Sequence, residues 1–106
     1  MTDKAVVLVT AGSLEEAEKI ASALVEARLA ACATIVPGVR SIYRWEGKVR
    51  NEQEVLLIIK TSHARFAALR DEVARLHSYT VPEIISLPIA DGAESYLNWI
   101  TQETNS

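Results

Sequence analysis

Cys32 is the only thiol in this sequence, and His63 and His77 are its only imidazoles. A soft thiolate suits Cu(I), but a metal site needs partners, and no C-x-x-C or C-x-H spacing accompanies the cysteine in "LAACATIV". Free cysteine is also a small hydrophobe that is commonly buried, and its neighbours here are Ala30, Ala31 and Ala33. Cys32 therefore reads as packing, which leaves any bound metal mainly to nitrogen and oxygen ligands. His77, in "LHSYTVPE", follows a helical stretch, where the helix dipole favours a histidine. On a loop the same imidazole is a candidate metal ligand, and it suits Cu(II) above the other divalent ions. Such binding weakens as pH falls through about 6.5, because imidazolium cannot coordinate. His63 opens a helix and reads as solvated.

A second constellation joins Lys60, Tyr79, Pro82 and Glu83 to Tyr43 and Trp45. Lys60 and Glu83 sit at strand ends and either pair with each other or line a ligand pocket with the aromatic rings, between copies of the chain. No Gly-rich phosphate loop, metalloprotease helix motif or recognisable Ser/His/Asp set is present. Nothing here is a positive signature of catalysis, and the chain is expected not to be an enzyme.

These residues sit in a chain of 106 residues, expected to form one domain over 1–106. A hydrophobic content of 49% beside 24% charged residues excludes disorder. Eleven Lys and Arg against fourteen Asp and Glu leave a net charge of −3, which speaks against nucleic acid as a partner. A lone cysteine forms no internal disulfide and suits a reducing compartment. "MTDKAVVLVTAG" is too short an apolar run for a signal peptide, and no stretch approaches the roughly 20 apolar residues that span a bilayer. A cytoplasmic chain with no membrane association is the expectation.

The elements that must position the candidate residues are legible from pattern. "KAVVLVT" is a strand buried on both faces. Ser13 and Glu16 form a capping box for a helix carrying Leu14, Ala17, Ile20, Ala21, Leu24 and Val25, ending near Arg28–Leu29. Glu46-Gly47 joins two long arms into an antiparallel hairpin, and Pro37-Gly38 marks a bend at a sheet edge. Ser62 is the expected cap of a second helix with Phe66, Leu69, Val73 and Leu76 on one face. "EIISLPI" is a last strand, and Asp91 with Glu94 caps a final helix bearing Tyr96, Leu97 and Ile100. The order β-α-β-β-α-β-α predicts an α+β, ferredoxin-like split β-α-β sheet with a long hairpin and an extra C-terminal helix. Hairpin arms of a dozen residues or so, with Val39, Ile42, Tyr43 and Trp45 towards the tip, leave apolar groups and strand edges that association with other copies would cover.

"RLAACATIVPGVRSIYRWEGKV", "LLIIKTS", "YTVPEIISLPI" and "YLNWI" together resemble the divalent-cation tolerance protein CutA family, in the right order and over nearly the whole chain. The resemblance implies a homotrimer, an architecture distantly similar to PII signalling proteins, and binding of divalent metal ions, copper among them. Some relatives carry paired histidines and a first-strand cysteine as copper ligands. Here Leu76 and Val9 stand at two of those positions, so His77 alone carries over. The expected function is a homotrimeric divalent-cation or copper binder linked to metal tolerance. The alternative is a PII-like module binding a small anionic or nucleotide-like ligand at Lys60, Tyr79, Glu83 and Trp45.

Overall fold

Eight residues of nearly unbroken β-branched and apolar character put the first strand, β1 (Lys4–Ala11), at the centre of the sheet. The computed structural model describes residues 1–105. Helix α1 (Leu14–Glu26) follows, then β2 (Cys32–Trp45) and β3 (Lys48–Ser62), a 3₁₀ turn (His63–Arg65), α2 (Phe66–Leu76), β4 (Ile84–Pro88) and α3 (Glu94–Glu103). All pairings are antiparallel, in the order β2-β3-β1-β4. That is the ferredoxin-like arrangement the pattern predicts.

Period-two alternation gives the sheet two different faces. Val7, Val9, Ala11, Val55, Leu57 and Ile59 form one of them. They pack against Ala17, Ile20 and Leu24 of α1 and Leu69 and Val73 of α2, all buried. The opposite face carries Val6, Leu8, Val36, Leu56, Ile58, Ile85 and Leu87, which pair in register but have neither α1 nor α2 above them. Ile85 and Leu87 remain about half exposed.

The hairpin follows its sequence signals closely. Glu46 (φ 51°) and Gly47 (φ 76°) both adopt positive φ, as a type I′ two-residue turn requires, and they fix Trp45 opposite Lys48. Val36 pairs with Leu56 and Val39 with Glu54, so Pro37 and Gly38 (φ 75°) form a bulge in an edge strand. The arms run 14 and 15 residues.

The caps follow their signals less well. Ser13 Oγ accepts from the Glu16 N–H (3.1 Å) as expected. The Glu16 carboxylate does not return to Ser13. It accepts instead from the backbone N–H groups of Gly12 (3.4 Å) and Ser78 (3.0 Å), tying the start of α1 to the segment after α2. Ser62 caps nothing, because its hydroxyl is engaged with that of Thr104 (2.7 Å) at the end of α3. Asp91 likewise accepts only from Gly92, and α3 starts after Ala93 without a side-chain cap. Two of the three predicted serine or aspartate caps thus differ, and in each a nearer partner takes the oxygen.

Candidate functional site

β2 and β3 are held in a register that alternates side chains between two faces, and past the bulge one face collects Ser41, Tyr43 and Trp45 beside Arg50, Glu52 and Glu54. Those six residues form one wall of a cavity of about 660 Å³. Thr10, at the end of β1, and the segment Ser78–Val81 with Glu83 form the other. The cavity lies on the sheet face left bare by α1 and α2, since Glu54, Leu56 and Ile58 share that face.

His77 anchors the second wall. Its ring is buried, and both nitrogens are engaged. Nδ1 accepts from the Tyr79 N–H (3.0 Å), so the proton sits on Nε2, which donates to the Thr10 carbonyl (2.7 Å). The expectation of a loop imidazole with a free lone pair is therefore corrected: the ring bridges the end of β1 to the turn after α2. Its ring centroid lies 4.6 Å from that of Tyr79.

Tyr79 reaches across to the hairpin. Its hydroxyl donates to Glu54 Oε2 (2.8 Å), and Glu54 is only 7% exposed. Partial burial, then the neighbouring Glu54 carboxylate, raises the phenol above the ordinary tyrosine range. A Cβ on Gly12 would lie 3.2 Å from the Tyr79 hydroxyl oxygen, so the glycine leaves the space this ring uses. On the opposite wall Tyr43 donates to Glu52, a bond that also raises its phenol. Glu16 moves the other way. Burial pushes its carboxyl up, but hydrogen bonds from Ser78 and Gly12, with His77 nearby, outweigh that and leave it lowered.

Of the predicted pocket residues, Trp45, Tyr79 and Glu83 do line one cavity, with Tyr43. Lys60 does not join them. Its ammonium donates to Thr34 Oγ1 (2.6 Å) and the Ile58 carbonyl (3.1 Å), and it forms no ion pair with Glu83. The suggested Lys60–Glu83 pair is thus absent. Cys32 is half-buried at the start of β2, with Thr34 Oγ1 3.7 Å from its sulfur. Among the described residues no group of three or more His, Cys, Asp or Glu is placed to hold a metal.

Glu52 and Glu54 were missed on sequence. The signal for them was present. Counting outward from the Glu46-Gly47 turn pairs Tyr43 with Arg50 and Ser41 with Glu52, and so brings the carboxylates of "RNEQE" onto the aromatic face.

Comparison with known proteins places the chain in company. The family of CutA1 divalent ion tolerance proteins matches residues 5–103. A divalent-cation tolerance protein CutA of Thermus thermophilus is 56% identical over 99 residues, which are 93% of this chain and 96% of that protein. A chloroplastic CutA of Arabidopsis thaliana is 46% identical over 101 residues, 95% of this chain. This chain spans only 56% of that plant protein's length. Among solved structures, the Thermus thermophilus protein superposes with a TM-score of 0.94 at 54% identity, covering 96% of this chain and 99% of that one. A periplasmic divalent cation tolerance protein from Archaeoglobus fulgidus gives 0.94 at 44% identity, over 96% and 99% of the two chains.

Proposed function

The chain belongs to the CutA1 divalent ion tolerance family, and from that premise we propose that it is a homotrimeric binder of divalent cations, copper among them, that serves metal tolerance rather than catalysis. The observation that carries this reading is the sign of the cavity. Glu52, Glu54 and Glu83 face Arg50 alone, three carboxylates against one guanidinium. Such a cleft concentrates cations and repels anions, which counts against the PII-like reading with an anionic ligand, the more so with Lys60 elsewhere.

The cavity adjoins the uncovered apolar sheet face, so copies packed on that face would bring further donors towards it. Oxygen donors dominate this site. His77 joins them only by giving up its Nε2–H bond to Thr10 and carrying that proton on Nδ1 instead, at the expense of the bond from the Tyr79 N–H. Cys32, distant in register from the cleft, stays outside the donor set.

Metal analysis of protein purified without an affinity tag is the first test, and Cu(II) titration of variants the second. Glu83→Gln and His77→Ala are expected to bind several-fold more weakly than the parent, and Cys32→Ala almost equally well. Each is checked for native oligomeric state. Loss of binding in Cys32→Ala with the assembly intact, or absence of any metal binding by the parent, overturns the reading.

A further inference from the structure

Within one chain the cleft is larger than a metal ion needs, and its donors do not converge on one point. A metal site converges three or more donors within about 2–2.6 Å of one point. Here no such cluster exists among the described residues, and two of the three carboxylates already accept from phenols, Glu52 from Tyr43 on its own wall and Glu54 from Tyr79 across the cleft. What remains is a cavity of about 660 Å³, inside the roughly 300–1,000 Å³ range of small-molecule sites. Tyr43, Trp45 and Tyr79 line it together with Glu52, Glu54 and Glu83.

We infer that this cleft takes an organic ammonium cation, held over the faces of Tyr43, Trp45 and Tyr79 and neutralised by Glu52, Glu54 and Glu83. The inference rests on the reading of the cleft as a cation site and names a ligand class for it. Aromatic faces carry negative potential and attract a diffuse cation within about 6 Å of the ring. A phenol that donates to a carboxylate gains electron density on its ring, and both tyrosines are so engaged. Both also resist ionisation, which keeps the hydroxyl protons in those bonds at neutral pH. The carboxylates therefore do two jobs, enriching the rings and supplying the counter-charge. An anionic or neutral ligand of the same size gains neither.

The test uses the native assembly in a Trp99→Phe background, where Trp45 is the one remaining indole. Trp45 fluorescence is titrated with choline, with its uncharged carbon isostere 3,3-dimethylbutan-1-ol, and with Cu(II). Saturable quenching by choline, at least tenfold weaker binding of the isostere, and a several-fold loss of choline affinity in Glu83→Gln are expected. Equal binding of choline and isostere, or no choline binding while Cu(II) still quenches Trp45 saturably, overturns the inference and leaves the cleft as a metal site. Silence towards both cations overturns the inference and the underlying cation-site reading together.

Discussion

At the scale of single residues, the network from Thr10 through His77 and Tyr79 to Glu54 shows how buried polar groups specify a site. Each donor has an acceptor, and among the described residues no fully buried side-chain nitrogen or oxygen lacks a partner. Removing one member strands the next. Tyr79→Phe leaves the Glu54 carboxylate, 7% exposed, without its phenol, and an expected cost of about 1–2 kcal/mol should appear as a lower denaturation midpoint. The same bond sets an alkaline response. The folded-state phenol ionises above the unfolded value near 10, so the fold favours neutral Tyr79. Its contribution is fully present below pH 10 and is lost as pH rises through the folded pKa. Phenolate absorbance in the native protein should therefore lag that of the denatured chain, and the fall in stability above pH 10 should be shallower in Tyr79→Phe. An equal slope in both proteins would remove Tyr79 as its source.

At the scale of elements, strands and helices were legible because pattern and propensity agree along them. Val7 and Val9 alternate with Val6 and Leu8, and Glu46-Gly47 admits one turn geometry. The caps were less legible because a short polar side chain takes whichever partner the tertiary fold brings. Ser62 meets Thr104, some forty residues on, and Glu16 meets Ser78. His77 ends α2 as its sequence suggests, but its partners were hidden for the same reason: nothing local tells a histidine at a helix end that the Thr10 carbonyl lies beside it. The end of α1 is a further case. Leu29 N–H reaches the Leu24 carbonyl (2.9 Å) and Arg28 N–H that of Val25 (3.1 Å), a Schellman closure with Arg28 at φ 60°, where glycine is usual. The arginine is retained at that strained position while its guanidinium donates to the carbonyl of Gln102 (3.3 Å), an unpaired end group of α3. Arg28→Ala should keep the strain and lose the contact, costing about 1 kcal/mol. Arg28→Gly should lose the contact but relieve the strain, and fall near the parent. Thermal melts of the pair separate these contributions, and an alanine variant as stable as the glycine variant would show that backbone conformation does not matter there.

At the scale of the whole molecule, the decisive asymmetry lies between the two sheet faces. One is sealed by α1 and α2, while the other offers Leu8, Val36, Leu56, Ile58, Ile85 and Leu87 with no helix of that pair above them. The hairpin adds Ile42 and Val49, at 69% and 64% exposure, on strands extended well beyond their neighbours. A solitary chain would expose an apolar patch and a long edge strand together, the combination that leads to uncontrolled pairing. The proposed homotrimer would cover both, because in closed symmetry each copy lends its surface to the next and no edge is left over. Interfaces of that permanent kind bury upwards of about 2,000 Å², so dilution to micromolar concentration should release no folded monomer. Introducing a charge on the bare face, as in Ile58→Glu, should break the assembly, whereas Ala68→Glu on an exposed helical position should not. Light scattering reads the mass directly. A folded monomer of the parent, or an intact trimer of Ile58→Glu, would show that this face is not what holds the copies together.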